Sequence, residues 1–490
     1  MKQLAIGYDY GTTTSYLSVC DVETFKTTLV CDAHGNNRFP SAVFKDEDGS
    51  LVFGEEARKH RSKDGFYPSL KHLIKDEKDK TGFAYIALKQ FTMTLFSYLN
   101  SYLNLTDIDD EVIIYLTATT PLGFRDSANR IIKDVVSDSF KGLFPKVQLK
   151  SVSIIPEPLA AAAFILRSKQ SSTLGERGYL AVCDMGGGTT DLTLVEYNRI
   201  QSREHIISVV QTQSRMDFGG DLITESFRNY LNRQYQGEYS FELSDDIKKK
   251  LSNCKVVRGI GEKISREEFE ENALIKSSFI SRLESLMAGL VNTVQDQEIH
   301  IAPIGGSSRI PIIQATYSKF VPNERELILF GEKGEAFDSV VRGAAIYSAY
   351  LLSEQSNLKI EGRTSLPLSV IYGKGHLYEC VLRNSNDGTY HNLGFHPYEI
   401  HPDGTFSLGT FMFYQNSRED EALVKGREPD YSFTLNDIIS TGNCDPNEVN
   451  IDICIVVRES KLYSCIVTVS IPDKEFFKKE ILFKNMRRNE

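Results

Sequence analysis

The chain has 490 residues, enough for more than one domain, and its 41% apolar and 25% charged content is ordinary for a globular protein. A net charge of −10, with no Lys/Arg-rich run, argues against a nucleic-acid partner. The eight cysteines include no Cys-x-x-Cys pair, so they read as free thiols in a reducing cytosol, and a cytoplasmic location is expected.

In chain order, Met1 to Tyr10 reads as a strand and not as a secretory signal. "IGYDYGTTTSYLSV", residues 6–19, ends that strand at Asp9, turns through Gly11 with hydroxyls at Thr12, Thr13 and Thr14, and returns to a strand pattern. "VIIYLTATTPLGF", residues 112–124, is a buried strand stopped by Pro121, and Asp126 opens a helical pattern through Ile131, Ile132, Val135 and Val136. "IIPEPLAAAAFIL", residues 154–166, sets Glu157 between two prolines at a helix start, where Pro158 forfeits no hydrogen bond. The apolar run Leu159–Leu166 is far too short to span a bilayer, so no membrane partner is expected.

"DMGGGTTDL", residues 184–192, places Gly186, Gly187 and Gly188 between two aspartates. Tyr179–Cys183 before it is a short apolar strand. Leu192, Leu194 and Tyr197 after it alternate as a second strand. A P-loop would need Gly-Lys-Ser/Thr and a helix, and a dinucleotide fingerprint would also need a helix, so both are excluded. An ordinary glycine-rich hairpin turn explains this stretch taken alone. Two Asp-Gly-Thr hairpins in one chain instead suggest two half-domains facing each other. Backbone N–H groups in such turns form anion-binding concavities. The aspartates would repel a phosphate unless a cation lies between them, and Mg²⁺, which keeps most of its waters, fits that role.

Ser265-Arg-Glu-Glu268 reads as a capping box before a long helix. "IHIAPIGGSSRIPII", residues 299–313, is a strand, a Gly305-Gly306-Ser307-Ser308 loop, Arg309, and a helix beginning near Pro311. The loop's N–H groups can take a phosphate or pack on a nucleoside. Strands and helices alternate to Ser353, as in an α/β domain. "SEQSNLKIEGRTS" then reads as a polar linker. Beyond Leu366, short alternating strands such as Ile451–Val457 and Cys465–Ile471 suggest a small β-sandwich of about 120 residues. The expected boundaries are 1–353, a linker at 354–364, and 365–490.

"DYGTTTS", "EPLAAAA", "DMGGGTTD" and "GGSSRIP" come in the order and near the spacing of the heat-shock protein 70 chaperones, and residues 4 to about 353 resemble that family. The later region resembles its peptide-binding sandwich weakly, through "TSLPLSV" and "FYQNSRED". The resemblance implies an α/β actin-like two-lobed ATPase domain, with duplicated RNase H-like cores around a nucleotide cleft, followed by a small β-sandwich domain. It implies that Asp9 and Asp184 hold a hydrated Mg²⁺ and that Thr12, Thr13 and Thr189 bind phosphate oxygens of ATP or ADP, beside Gly11, Gly186–Gly188, Gly219 and Gly220. Glu157 and Asp191 would orient or deprotonate the attacking water, and Lys71 would contact the γ-phosphate. Lys248, Lys249 and Ser252 would grip the adenosine, with Gly305, Gly306, Ser307 and Arg309 on its other side.

Several positions depart from the family. Lys249 stands where the family has an adenine-stacking arginine, and a lysine has no plane to stack. Pro156 precedes Glu157 where the family has asparagine, and Leu159 replaces a threonine. Leu222 and Ile223 replace acidic and aromatic positions after Gly219-Gly220. The linker offers only Leu358 and Ile360, so weak docking is expected, with polypeptides stimulating hydrolysis less than about threefold. The sequence also reads as lacking the family's helical lid. Three functions are compatible: an ATP-hydrolysing chaperone-like protein that binds a polypeptide or protein client, helped by a co-chaperone or nucleotide-exchange partner; a nucleotide-gated adaptor with little turnover; and an actin-like filament protein.

Overall fold

The computed structural model describes residues 2–74, 81–107, 112–122, 124, 126–168, 174–200, 204–216, 218–235, 238–294, 299–321, 327–328, 335–353, 357–361, 368–372, 378–381, 388–395, 397, 401, 403–415, 429, 431–442, 444–445, 448–458, 461–471 and 474–483. The chain divides into two compact units, the first comprising residues 1–124 and 128–359, the second residues 125–127 and 360–490.

The first unit is built on two sheets with the same local plan. In one, Lys2–Asp9 pairs antiparallel with Thr14–Cys20 and parallel with Val112–Thr120, which is itself parallel to Gln148–Pro156. Parallel neighbours need a long crossover, and the Asp126–Leu143 helix supplies one between the last two strands. In the other, Arg177–Met185 pairs antiparallel with Thr189–Ile200 and parallel with Ile299–Ile304. Each sheet therefore has a hairpin whose first strand also carries a parallel partner.

Separate apolar cores pack against the two sheets. Ile6, Ile114 and Leu116 meet Leu88, Phe91 and Phe140 of the Phe83–Leu103 and Asp126–Leu143 helices. Cys183, Leu192 and Ile301 meet Phe227, Ile247 and Leu283 of the Gly220–Gln234, Phe241–Leu251 and Phe279–Val291 helices. The alanine run explains a further contact. A Cβ on Gly343, in the Glu335–Leu352 helix, would lie 1.7 Å from Ala160 O, so this helix and Glu157–Arg167 cross at backbone distance. Small residues on both sides permit that approach.

Two segments differ from the sequence reading. The capping box is present, but the helix it starts is only Arg266–Phe269. A π-helical stretch, Glu270–Ile275, comes next, and Ser278, in the left-handed region at φ 61°, precedes the following helix. Asn357–Glu361, inside the segment read as a linker, is a strand beside Glu204–Met216, and Leu358 is buried.

Among the described residues, the second unit has two four-stranded sheets. Leu368–Tyr372 lies between Tyr378–Val381 and Thr405–Gln415, which pairs with Tyr431–Ser440. Gly388–Phe395, Asn450–Arg458, Lys461–Ile471 and Lys474–Leu482 pair in that order. Val370, Phe411 and Phe433 of the first share one core with Ile453, Ile455 and Val467 of the second. The chaperone-like stretch at 413–420 lies outside the described residues beyond Gln415.

Candidate functional site

Four carboxylates and one ammonium gather where the strands of the first unit end. Asp9 is the last residue of its strand, only 7% exposed, and accepts a 2.6 Å hydrogen bond from Thr119 Oγ1. Asp184 and Asp191 are direct cross-strand partners at the mouth of the second hairpin. Glu157 opens its helix after an extended Pro156, as the proline pair dictates. Lys71, in the short helix Leu70–Ile74, is 5% exposed and donates from Nζ to Glu157 Oε1.

Burial makes these charges expensive, and their mutual repulsion adds to the cost. Burial raises the Asp9 carboxyl, against the pull of Lys71 and Thr119. Burial pushes Glu157 up to about 7, against Lys71 and with Asp9 and Asp191. Asp184 is pushed up to about 8 by burial, then by Glu157 and Asp191. Burial disfavours the Lys71 ammonium, but Glu157, Asp9 and Asp191 more than offset it and hold its pKa above the ordinary value. Four acids share one lysine, and a cation among them would favour their charged forms and lower these pKa values. Among the described residues, no three His, Cys, Asp or Glu side chains group tightly enough to hold a metal by themselves. Carboxylate oxygens are the donor type that suits a hydrated Mg²⁺.

Glycine turns line the same space. A Cβ on Gly187 would lie 2.9 Å from Thr13 Oγ1, and one on Gly188 would lie 3.9 Å from Thr12 Cγ2, so the two hairpin turns face each other. Ser41 Oγ donates to Gly11 O at 2.7 Å, and Gly186 N donates to Thr189 O at 3.0 Å, which fixes both turns. Gly220 N and Ser307 Oγ both donate to Gly186 O, at 2.9 and 3.1 Å. A Cβ on Gly219 would sit 2.5 Å from Gly187 O. The three glycine turns at 186–188, 219–220 and 305–306 thus pack as one assembly.

The residues that the resemblance assigns to the adenosine lie beside it but differ in character. Lys248 is buried and donates to Gly220 O at 2.9 Å and Thr224 Oγ1 at 2.6 Å, and it pairs with Asp245 at 2.7 Å. Burial lowers its pKa, against Asp245. Its ammonium thus ties the Gly219-Gly220 turn to two helices. Lys249 is exposed and paired with Asp245 at 2.5 Å. Ser252 Oγ donates to Lys248 O at 3.1 Å, and Arg309 reaches Asn253 Oδ1 at 3.5 Å. Motif reading missed Thr119. Its only signal is register: Tyr8 pairs with Ala118, which brings the next residue beside Asp9. It also missed Asp221, whose Oδ1 would lie 3.3 Å from a Cβ on Gly187.

The comparisons with known proteins point the same way. Residues 119–255 match the family model described as Hsp70 protein. That span holds Glu157, both aspartates of the second hairpin and Lys248, but not Asp9, Lys71 or Arg309. The chain is similar to the chaperone protein HscA homolog of Mannheimia succiniciproducens, at 24% identity over 419 residues. The match covers 78% of this chain and 64% of that relative, so the chain spans less than two thirds of the relative's length. Both matches support the Hsp70 reading of the motifs. Among the described residues, no helix is long and apolar enough to cross a membrane.

Proposed function

We propose that this chain binds and hydrolyses ATP as a chaperone-like protein of the Hsp70 type. In this reading residues 1–353 are an actin-like, two-lobed ATPase domain. Residues 365–490 are a β-sandwich that binds a polypeptide or protein partner, in the cytoplasm. The observation that carries it is the cluster of buried Asp9 and Lys71 with half-buried Glu157, Asp184 and Asp191 beside two facing glycine–threonine turns.

Bound Mg²⁺–ATP supplies the phosphoryl group and a cation to neutralise charge on it. Asp9 and Asp184 hold that hydrated cation. The N–H groups of Gly11 and Gly186–Gly188, with the hydroxyls of Thr12, Thr13 and Thr189, hold phosphate oxygens. Lys71 faces the terminal phosphate. Glu157, raised to about 7, and Asp191 orient the attacking water and take its proton.

A single-turnover assay on the full chain tests this. Hydrolysis should require Mg²⁺, and Mg²⁺ with ATP or ADP should raise the melting temperature by mass action. No melting shift with either nucleotide at millimolar concentration would refute the reading. The Lys71–Glu157 ion pair favours a second possibility, because a carboxylate held by an ammonium is a poorer base. The chain would then be a nucleotide-gated adaptor, with the melting shift but almost no turnover.

A further inference from the structure

Phe337 belongs to no motif and carries no role in the reading above. It is half-buried in the first turn of the Glu335–Leu352 helix. Two guanidinium groups lie over its ring, that of Arg38 at 4.3 Å and that of Arg309 at 5.3 Å from the ring centroid. The ring also abuts the third glycine turn: a Cβ on Gly306 would lie 3.0 Å from Phe337 Cε1. That turn comes after the strand whose Ile304 pairs with Asp184, so the ring stands beside the acidic cluster on the Arg309 side.

A nucleoside held near this loop needs a flat apolar surface, because stacking on a side-chain plane is the sequence-tolerant part of base recognition. Lys249 cannot supply it, being exposed, without a plane, and paired with Asp245. Phe337 can. Where the ring edge meets Gly306, that residue itself contributes no side chain. Arg309 sits at the longer of the two distances, and its hydrogen bond to Asn253 Oδ1 is long at 3.5 Å. A guanidinium prefers the face of an aromatic ring, and a purine offers it a second such face.

We infer that Phe337 is the base platform of the nucleotide site: a purine slides between its ring and the Arg309 guanidinium, while Arg38 stays on the ring. This rests on the nucleotide reading above and adds to it the surface that selects for a base. The purine is favoured over a pyrimidine because its π-surface is larger.

The test uses the full chain and two ligands, Mg²⁺–ATP and Mg²⁺–tripolyphosphate, which shares the phosphates and lacks the base. Phe337→Leu keeps the apolar volume and removes the ring. It should weaken ATP about tenfold and leave tripolyphosphate binding unchanged, which also shows that the variant's phosphate site is folded. The chain contains no tryptophan, so Phe337→Trp creates a single reporter. Its emission should be quenched by ATP and not by tripolyphosphate. ATP binding to Phe337→Leu at parental affinity, or Trp emission indifferent to bound ATP, would overturn the inference and leave the nucleotide reading standing. A parent chain that binds neither ligand would overturn both.

Discussion

Glu157 is held in two ways at once: Lys71 bonds it, yet burial raises its pKa to about 7. A carboxyl tuned near neutrality suits proton transfer better than one near 4.5. Lys71→Ala, Glu157→Gln and Asp191→Asn should each slow hydrolysis by about tenfold to a thousandfold. ATP binding, read by calorimetry, should survive in all three. Parental turnover in every variant would remove these residues from the mechanism. The same shift has a pH consequence. The folded chain protonates Glu157 at about 7 and the unfolded chain at 4.5, so between these values the folded state holds more protons and this group makes stability fall as pH rises. In chelator, the melting temperature of the parent minus that of Glu157→Gln should therefore decrease from pH 5 to pH 7. Parental hydrolysis should rise to a plateau above pH 7. A melting difference that is flat across the window would mean that Glu157 is not raised. Lys71 shows where sequence reading stops: alone it reads as a surface lysine, and only its place opposite Glu157 buries it.

At the scale of the element, the hairpins were the most legible part of the chain. An aspartate ending an apolar run, glycines, hydroxyls and a resumed alternation specify strand, turn and strand locally. The Ser265 helix was legible only at its start. Its capping box is a local signal, whereas nothing in the sequence marks the π-helical stretch or the left-handed Ser278 that interrupt the helical path toward Phe279. The Gly305 turn combines both kinds of constraint. Its φ of +78° disfavours any side chain, and a Cβ there would lie 2.5 Å from Asp184 Oδ1. Gly305→Ala should destabilise the chain by about 1–3 kcal/mol in denaturant titration and abolish the melting shift with Mg²⁺–ATP, because Asp184 must move. A variant with the parental shift would show that Asp184 is free to relocate without loss of the site.

At the scale of the molecule, long-range contacts were the least legible. Arg61 donates to Glu242 Oε1 at 2.8 Å across 181 residues of chain, and its guanidinium lies 4.7 Å from the Phe241 ring centroid. No local pattern announces that pair. It joins the segment after the Gly54–Arg58 helix to the helix that carries Lys248, so any separation of these two segments in opening the proposed nucleotide site must break it. An exposed ion pair with a cation–π contact is worth about 1 kcal/mol. Arg61→Ala should therefore release bound nucleotide about fivefold faster in stopped-flow displacement, with single-turnover hydrolysis unchanged. The gain should shrink at high salt, which screens the parental pair. Identical release rates at low salt would show that the contact does not gate the site.

The linker is where sequence and structure part most clearly. Two apolar residues among charged ones promised little docking, but Asn357–Glu361 forms a strand beside Glu204–Met216 and buries Leu358 to 6% exposure. Backbone pairing at a sheet edge needs few side chains, so a strand can form here with few apolar residues. Burying one leucine adds about 1.5–3 kcal/mol to that pairing. "IEGR", residues 360–363, is a protease recognition sequence whose first two residues lie in this strand. A protease must take its substrate in extended form, so Ile360 and Glu361 must leave the sheet before cleavage, and the cleavage rate reads the population of the open form. Leu358→Asp places a charge where the leucine was buried and favours that open form. Cleavage after Arg363 should become at least about tenfold faster than in the parent, which corresponds to about 1.4 kcal/mol of lost pairing. An exposed site elsewhere on the same chain should be cut at an unchanged rate, which separates strand release from global unfolding. Equal cleavage of parent and variant at Arg363 would mean that the strand is not held in place in solution.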